Sequence, residues 1–267
     1  MPRANRYFLP GHVWHLTHRC HHKAFLLKFT RDRHRYLRWV FEAKKRLGLS
    51  VLNYTVTSNH IHLLVKDTGG QVISQSMQLI AGRTAQEYNQ RKGHRGAFWE
   101  DRYHATAIEV DEHLYRCLVY IDLNMVRAGV VKHPDEWAHC GYREIQKPPK
   151  RYAIIDLQKL SELCGFSEVA DFQQAHRRWV SEELTRQMTR REEQWSEAIA
   201  VGSLAFVDKV KSELGVKAVH REIAEVGEAY TLREQSEAYA SDFGCRNDPL
   251  RPDNTVLWEK NAETTET

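Results

Sequence analysis

The sequence predicts an α+β fold: a ferredoxin-like, four-stranded antiparallel sheet with helices on one face, followed by a mostly helical C-terminal region. Three observations predict it. Short segments rich in β-branched and aromatic residues recur at four places in the first half of the chain. Amphipathic stretches at helical spacing separate the first strand from the second and the third from the fourth. Charge-rich helical patterns fill most of the second half.

The first half has the order β-α-β-β-α-β, which is that of the ferredoxin-like split. The second and third strands are joined by the two-residue turn Ser58-Asn59 and should pair as a hairpin. The predicted strands are 12–19, 51–57, 60–67 and a fourth within 98–110, and the predicted helices between them are 31–49 and 71–93.

A further helix is predicted from Asp111, as its N-cap, to about Val126 or Arg127, with Gly129 ending it. Its apolar stripe should pack on the sheet. That stripe is Leu114, Leu118, Ile121 and Met125.

The rest of the chain divides by composition. A Pro- and Lys-rich linker covers 146–152 and separates a domain at 1–145 from a helical accessory region at 153–240. Residues 241–267, rich in Pro, Asn, Asp and Thr, are predicted to form an irregular or disordered tail. The helical patterns of the accessory region lie at 156–164, 168–191, 194–213 and 217–239.

Charge is distributed unevenly. Residues 1–150 carry 24 Lys and Arg side chains against 13 Asp and Glu, a net charge of +11, whereas the whole chain has +4. Such a field favours a polyanionic partner, most simply nucleic acid, although a solvated basic face is the other interpretation. No apolar run is long enough for a membrane span, and five scattered cysteines with no C-x-x-C favour a reducing cytoplasm.

The stretch "TSNHIHLLVKD" places His60 and His62 two positions apart on a predicted strand. Residues i and i+2 point to the same face, so two imidazoles lie side by side and could hold one divalent cation. Two histidines on an exposed sheet face are the simpler interpretation. A metal site would also need a third ligand from elsewhere.

The helix at 111–129 offers such a ligand. Tyr120 and Asn124 are one turn apart and share a flank beside the apolar stripe. Arg116 and Arg127 lie within about 40° of Tyr120 around the helix axis. A tyrosine hydroxyl, an amide and two guanidinium groups suit attack on a phosphate, whereas an amphipathic helix with a half-exposed tyrosine is the other interpretation.

Tyr103 and Tyr115 are the competing nucleophiles. Tyr115 lies about 140° from Tyr120 around the helix, so the two cannot face the same site. Tyr103 lies on or beside a strand, where it would stack on a base or pack on the sheet.

Three separated motifs, "NHIHLL", "FWEDRYHA" and "YIDLNMVRAGVV", resemble those of the single-tyrosine HUH transposases, and most of all the REP-associated tyrosine transposases. The resemblance covers about 1–145 and implies that this is the catalytic domain. His60 and His62 match the paired histidines, Tyr120 matches the nucleophile, and Asn124 matches the polar residue that completes the metal site.

Two positions depart from the family pattern. Asp122 occupies a position where the family usually has His, and Met125 one where it has Pro. Neither is a reacting group in the family, but Asp122 could change DNA contacts or a local pKa.

The resemblance implies a cytoplasmic, nucleoid-associated enzyme that uses Mg²⁺ or Mn²⁺ and acts, as a monomer or homodimer, on single-stranded DNA with a hairpin. Tyr120 would form a 5′-phosphotyrosine and release a 3′-hydroxyl. A non-catalytic nucleic-acid-binding module and a hydrolase that activates water remain alternatives. The side chains predicted to bind DNA are Arg116, Arg127, Arg102, Arg19, Arg3 and Arg6.

Overall fold

A computed structural model describes residues 9–93, 95–110, 112–186 and 192–234 of the chain. The predicted tail at 241–267 lies outside these residues, as does the predicted cap Asp111. In chain order the elements are β1 (Val13–Arg19), α1 (Thr30–Leu47), β2 (Ser50–Val56), β3 (His60–Lys66), α2 (Val72–Lys92), β4 (His104–Ile108), α3 (Glu112–Asp122), α4 (Asn124–Arg127), α5 (Gly141–Gln146), α6 (Leu157–Leu163), α7 (Val169–Thr185), α8 (Gln194–Glu197), β5 (Ala200–Gly202), α9 (Leu204–Leu214), β6 (Arg221–Val226) and β7 (Ala229–Glu234). Short 3₁₀ turns occur at His21–Lys23, Pro134–Glu136 and Gly215–Ala218.

The predicted β-α-β-β-α-β order of the first half is confirmed. Its four strands are antiparallel and lie in the order β2-β3-β1-β4. The central strand β1 pairs with β3 on one side and β4 on the other, which sets Thr17 opposite His62 and His15 opposite Leu64.

The prediction of four strands is wrong, because the sheet has seven, in the order β2-β3-β1-β4-β5-β7-β6. Strand β5 runs parallel to β4, and β7 pairs antiparallel with both β5 and β6. The last three strands come from the region predicted to be mostly helical, so this region extends the same sheet.

The predictions of two C-terminal helices, at 194–213 and 217–239, are therefore wrong. The pattern at 194–213 is split into α8, β5 and α9, and the described part of 217–239 contains the β6–β7 hairpin instead of a helix. Gly227 at φ 62°, followed by Glu228, makes the two-residue turn of this hairpin. The many Glu and Ala residues around it favour a helix locally, but pairing with β5 and burial of Leu232 outweigh that preference.

The sheet is covered on both faces where the site lies. Every residue of β2 is buried, which requires packing on both sides of the strand. Helix α3 lies over the face that carries Asn53 and Thr55, whose side chains donate hydrogen bonds to the carbonyls of Leu118 and Ile121. Helices α1 and α2 pack together, and their apolar residues join the core on the opposite face.

The apolar stripe predicted for the helix over the sheet is confirmed, since Leu114, Leu118, Ile121 and Met125 are all buried. The predicted single helix is interrupted only at Leu123, where α3 gives way to α4. The hydrogen bonds from Leu123 N to Val119 O and from Arg127 N to Leu123 O, both 2.9 Å, keep the helical path continuous. Tyr120 and Asn124 consequently keep their one-turn spacing.

Helix α7 packs on the outer side of α3. The side chains of Asp122 and His176 are fully buried between the two helices, and His176 Nε2 lies 2.7 Å from a carboxylate oxygen of Asp122, at hydrogen-bond distance. Asn53 of β2 donates a 3.0 Å hydrogen bond to the other oxygen of Asp122. Helix α3 is therefore held from the sheet side and from the C-terminal side. Across the described residues, the chain contains no helix that is long and apolar enough to span a bilayer.

Candidate active site

His60 and His62 project from β3 toward the α3 side of the sheet, as the two-residue strand period requires. Their rings are 5.0 Å apart between centroids and inclined at 83°. His62 is buried, with 3% of its surface exposed, and His60 is half-buried. The two imidazoles form one edge of a small polar recess in an otherwise apolar layer.

His60 is oriented by the turn that precedes it. Its Nδ1 lies 2.7 Å from Asn59 Oδ1 and 3.0 Å from Thr57 Oγ1. An amide oxygen only accepts hydrogen bonds, so Nδ1 carries the hydrogen in neutral His60 and the lone pair is on Nε2. The nitrogen available to a metal is therefore Nε2.

His62 is oriented by residues far away in sequence. Its Nδ1 lies 2.9 Å from His15 Nε2, and His15 Nδ1 lies 2.6 Å from the carbonyl oxygen of Trp195. Burial lowers the pKa of His15 to about 3, although the Trp195 carbonyl opposes this shift, so His15 is neutral at physiological pH. The three groups linked by these hydrogen bonds, His62, His15 and the Trp195 carbonyl, belong to residues that are all buried.

Tyr120 and Asn124 reach this recess from α3 and α4. The Tyr120 ring lies 5.9 Å from the His62 ring and 6.1 Å from the Trp195 ring, centroid to centroid. Asn124 Nδ2 lies 3.0 Å from His62 Nε2. The structure thus brings together His60, His62, Tyr120 and Asn124, which the sequence placed on two separate elements.

The donor set fits a divalent ion. Two imidazole nitrogens and one amide oxygen suit Mn²⁺ or Mg²⁺, and a half-turn of the Asn124 amide group would direct Oδ1 toward such an ion. Within the described ranges, no cluster of three or more His, Cys, Asp and Glu side chains could hold a metal. The ligand set at the recess contains two such side chains, His60 and His62, with the amide of Asn124 as the third ligand.

The two arginines near Tyr120 have different environments. The Arg127 guanidinium lies 4.1 Å from the centroid of the Tyr120 ring and donates to the Tyr120 carbonyl. Burial lowers the pKa of Arg127, opposed by the nearby Tyr120. Arg116 forms ion pairs with Glu112 and with Glu228 of the β6–β7 turn.

Two other arginines predicted to bind DNA are described, and one of them, Arg19, lies directly opposite His60 in the register of β1 and β3. Arg19 is exposed and 3.9 Å from Glu100, and Arg102 is exposed in the loop before β4. Backbone hydrogen bonding from Glu100 N to Arg19 O joins the two regions. Arg3 and Arg6 lie outside the described residues.

The other two tyrosines point elsewhere. Tyr115 stacks on Trp179 of α7 with ring centroids 4.8 Å apart. Tyr103 is buried with its ring 6.4 Å from that of His18. Tyr120 is therefore the tyrosine, among these three, that lies beside His62.

Sequence reasoning missed two groups at the recess, His15 and Trp195. His15 carries a usable signal, since it is a polar residue between Trp14 and Leu16 on a strand that should be buried. Trp195 contributes a backbone carbonyl, which leaves no trace in residue identity. It also comes from α8, in the part of the chain predicted to be accessory.

An exposed aromatic pair was missed as well. Phe25 and Phe29 are 66% and 54% exposed in the loop between β1 and α1. The Lys92 ammonium lies 5.0 Å from the centroid of the Phe29 ring. Exposed aromatic rings beside cations are a pattern typical of single-stranded nucleic-acid binding.

Comparison with known proteins supports a family for the first half of the chain. Residues 10–124 match the family model described as "Transposase IS200 like", and this stretch includes all four residues of the recess that were predicted from the sequence. No curated protein matches the chain.

Solved structures resemble the chain at low identity. One is the REP-associated tyrosine transposase bound to a REP hairpin, at 19% identity and TM-score 0.47, covering 57% of this chain and 90% of that chain. Another is a candidate transposase from Deinococcus radiodurans R1, at 17% identity and TM-score 0.31, covering 38% of this chain and 82% of that chain. Residues 10–124 of this chain are therefore similar to the IS200-like transposases.

Proposed function

We propose that this chain acts as a transposase, which cleaves and rejoins single-stranded DNA beside a hairpin through a covalent bond to Tyr120. The observation that carries the proposal is the convergence of three side chains from β3, α3 and α4: Asn124 Nδ2 lies 3.0 Å from His62 Nε2, and the Tyr120 ring lies 5.9 Å from the His62 ring. A nucleophile, paired imidazoles and an amide one helical turn away are the parts that phosphodiester transesterification needs.

In this proposal His60, His62 and Asn124 hold Mg²⁺ or Mn²⁺. When bound, the ion would polarise the scissile phosphate and make its phosphorus more electrophilic. The hydrogen bonds to Nδ1 of both histidines support this assignment, because they leave Nε2 as the nitrogen with the lone pair.

Tyr120 supplies the nucleophile. Its hydroxyl loses a proton, the oxygen forms a bond to phosphorus, and the bond from phosphorus to the 3′-oxygen of the preceding nucleotide breaks. The departing 3′-oxygen gains a proton, which leaves a 5′-phosphotyrosine and a free 3′-hydroxyl. The Arg127 guanidinium lies 4.1 Å from the centroid of the Tyr120 ring, so a positive charge stands beside the attacking residue. A later attack by a 3′-hydroxyl reverses the bond changes and rejoins the strand.

The loop between β1 and α1 supports a single-stranded substrate. It adjoins the turn before His60: Leu27 N donates to Ser58 O at 2.9 Å, and Asn59 Nδ2 donates to Lys23 O at 3.2 Å. The exposed rings of Phe25 and Phe29 therefore lie on a loop that is hydrogen-bonded to the turn before β3, the strand that carries His60 and His62. Unpaired bases could stack there while their phosphates meet the surrounding cations.

A denaturing gel with two labelled forms of one hairpin-containing single strand tests the proposal. With Mn²⁺, the 3′-labelled strand should migrate with the protein, and the 5′-labelled strand should yield a short free product. Tyr120→Phe should bind the strand but form no adduct, because it lacks only the attacking oxygen. Tyr115→Phe is the matched control and should keep the adduct.

The two alternatives give other outcomes on the same gel. Free cleavage products from both labelled forms, with no adduct, would indicate a hydrolase that activates water. Binding of the strand with neither adduct nor cleavage by the unsubstituted chain would indicate a non-catalytic binding module.

A further inference from the structure

We infer that His15 and the backbone carbonyl of Trp195 form a relay that positions His62, by fixing hydrogen on its Nδ1 and the lone pair on its Nε2. The inference rests on the proposed function, since it names Nε2 as the nitrogen that His62 presents to the ion. It makes His15 a positioning residue, because it acts through His62 and not on the substrate.

The direction of the relay follows from its fixed end. The Trp195 carbonyl can only accept, so His15 Nδ1, 2.6 Å away, must be the donor. A neutral imidazole carries one hydrogen, which leaves His15 Nε2 as an acceptor. His62 Nδ1 lies 2.9 Å from that atom and therefore donates to it.

The other side of His62 agrees with this direction. The Asn124 amide nitrogen, 3.0 Å from His62 Nε2, only donates, so Nε2 is again the acceptor. The ring planes of His15 and His62 are inclined by only 13°, which suits a hydrogen bond between ring nitrogens. The two contacts of His62 thus point to one tautomer.

Burial makes the relay more than a packing contact. His15 has 0% of its surface exposed and Trp195 has 1%, so water cannot replace a missing partner. A polar ring at this central position of β1 costs free energy unless both of its nitrogens are paired. An apolar residue would fill the same space without that cost, but only Asn124 would then contact a ring nitrogen of His62, and its amide can turn to accept a hydrogen from Nε2 as well as to donate one to it.

The carbonyl at the end of the relay is held firmly by neighbouring contacts. Thr106 donates a 2.7 Å hydrogen bond to the Ala198 carbonyl, which His104 also contacts at 2.9 Å. The Trp195 indole donates to Glu192 at 2.8 Å. The segment around α8 is thereby fixed on β4, and a part of the chain beyond the family-matched residues completes the support of the metal site.

His104→Leu is the matched control for His15→Leu. Both histidines contact a backbone carbonyl of the 195–198 segment, but His15 is the one that contacts His62. If these changes act only by loosening the 195–198 segment, both variants should alter the His62 tautomer and the Mn²⁺ affinity. If the relay fixes the tautomer, only His15→Leu should alter them.

The experiment is ¹H–¹⁵N NMR of the histidine rings in metal-free, DNA-free full-length chain, followed by calorimetric titration with Mn²⁺. In the unsubstituted chain we expect His62 to carry hydrogen on Nδ1. His15→Leu should shift His62 toward the Nε2-protonated form and weaken Mn²⁺ binding by about 10- to 100-fold, the usual effect of losing an outer partner of a ligand. His15→Gln, whose amide can donate to the carbonyl and accept from His62, should restore most of both.

Hydrogen on Nε2 of His62 in the unsubstituted chain would overturn the inference, even if His15→Leu fails to fold. So would a His15→Leu variant that keeps the tautomer and the Mn²⁺ affinity, or a His104→Leu variant that loses them equally. The proposed function is tested by a different result, the DNA adduct. A chain that has the expected tautomer and Mn²⁺ affinity but forms no adduct would contradict covalent cleavage and still support the relay.

Discussion

His60 and His62 occupy one strand, two residues apart, yet they are supported in opposite ways. The partners of His60, Thr57 and Asn59, lie within three residues of it in the same turn. His15, which contacts His62, is 47 residues away from it in sequence, and the Trp195 carbonyl that His15 contacts is 180 residues away from His15. One imidazole is therefore oriented by a local motif and the other by the completed tertiary structure, including the C-terminal strands and helices.

The first test of this comparison removes each ligand in turn. His60→Ala and His62→Ala should be equivalent in spite of their different supports, because each loses a proposed metal ligand. Each should weaken Mn²⁺ binding more than the ~10- to 100-fold typical of an outer partner and should abolish the DNA adduct. Calorimetric titration measures the affinity, and circular dichroism checks the fold. Unchanged Mn²⁺ affinity in the double variant would contradict the metal site.

The second test concerns a contact between distant parts of the chain, the one that joins Asp122 of α3 to His176 of α7. His176→Ala removes the hydrogen-bond partner of one carboxylate oxygen of the fully buried Asp122 between α3 and α7. We expect the free energy of unfolding in urea to fall by about 3–5 kcal/mol. His220→Ala, at an exposed position, is the matched control and should change it by less than ~0.5 kcal/mol. Equal stability of the two variants would show that the contact between Asp122 and His176 does not stabilise the packing of α7 on α3.

The third test concerns the surface next to the locally supported histidine. Phe25→Ala and Phe29→Ala should each weaken binding of a single strand by about 1–3 kcal/mol if a base stacks on each ring. Tyr152→Ala, which removes another highly exposed aromatic ring, should leave binding unchanged. Fluorescence anisotropy with a labelled oligonucleotide measures the affinities. A loss in the Tyr152 variant as large as that in the Phe variants would assign the effect to general surface changes.

The smallest effect is expected for the local support itself. In Asn59→Ala, Thr57 Oγ1 remains 3.0 Å from His60 Nδ1 and can accept its hydrogen. Mn²⁺ affinity should therefore fall by less than about tenfold, below the range for an unreplaced outer partner. An Asn59→Ala loss as large as that of His15→Leu would remove the difference between local and long-range support.

The same contrast explains what the sequence could and could not predict. Periodicity located the first four strands and the helices between them, because alternation and helical spacing are local. The spacing of Tyr120 and Asn124 and that of His60 and His62 placed each pair on one face, and packing of α3 on the sheet brought the pairs together.

What was missed depends on contacts between distant parts of the chain. The β6–β7 hairpin was predicted to be helical because its Glu and Ala residues favour a helix. The two-residue turn that begins at Gly227 was not recognised. Trp195 contributes through its backbone, so its identity gives no sign of that role. Asp122 seemed only a departure from a family pattern, whereas the structure pairs it with His176, which lies beyond the segment of family resemblance.

The most direct test of the central claim is to map the residue that becomes joined to DNA. The chain is incubated with Mn²⁺ and a hairpin-containing single strand, the adduct is isolated under denaturing conditions, and its peptides are identified by mass spectrometry after proteolysis and nuclease trimming. We expect a nucleotide attached through its 5′-phosphate to the tyrosine oxygen, on the peptide that contains Tyr120. Attachment to Tyr103, Tyr115 or any other residue would contradict it.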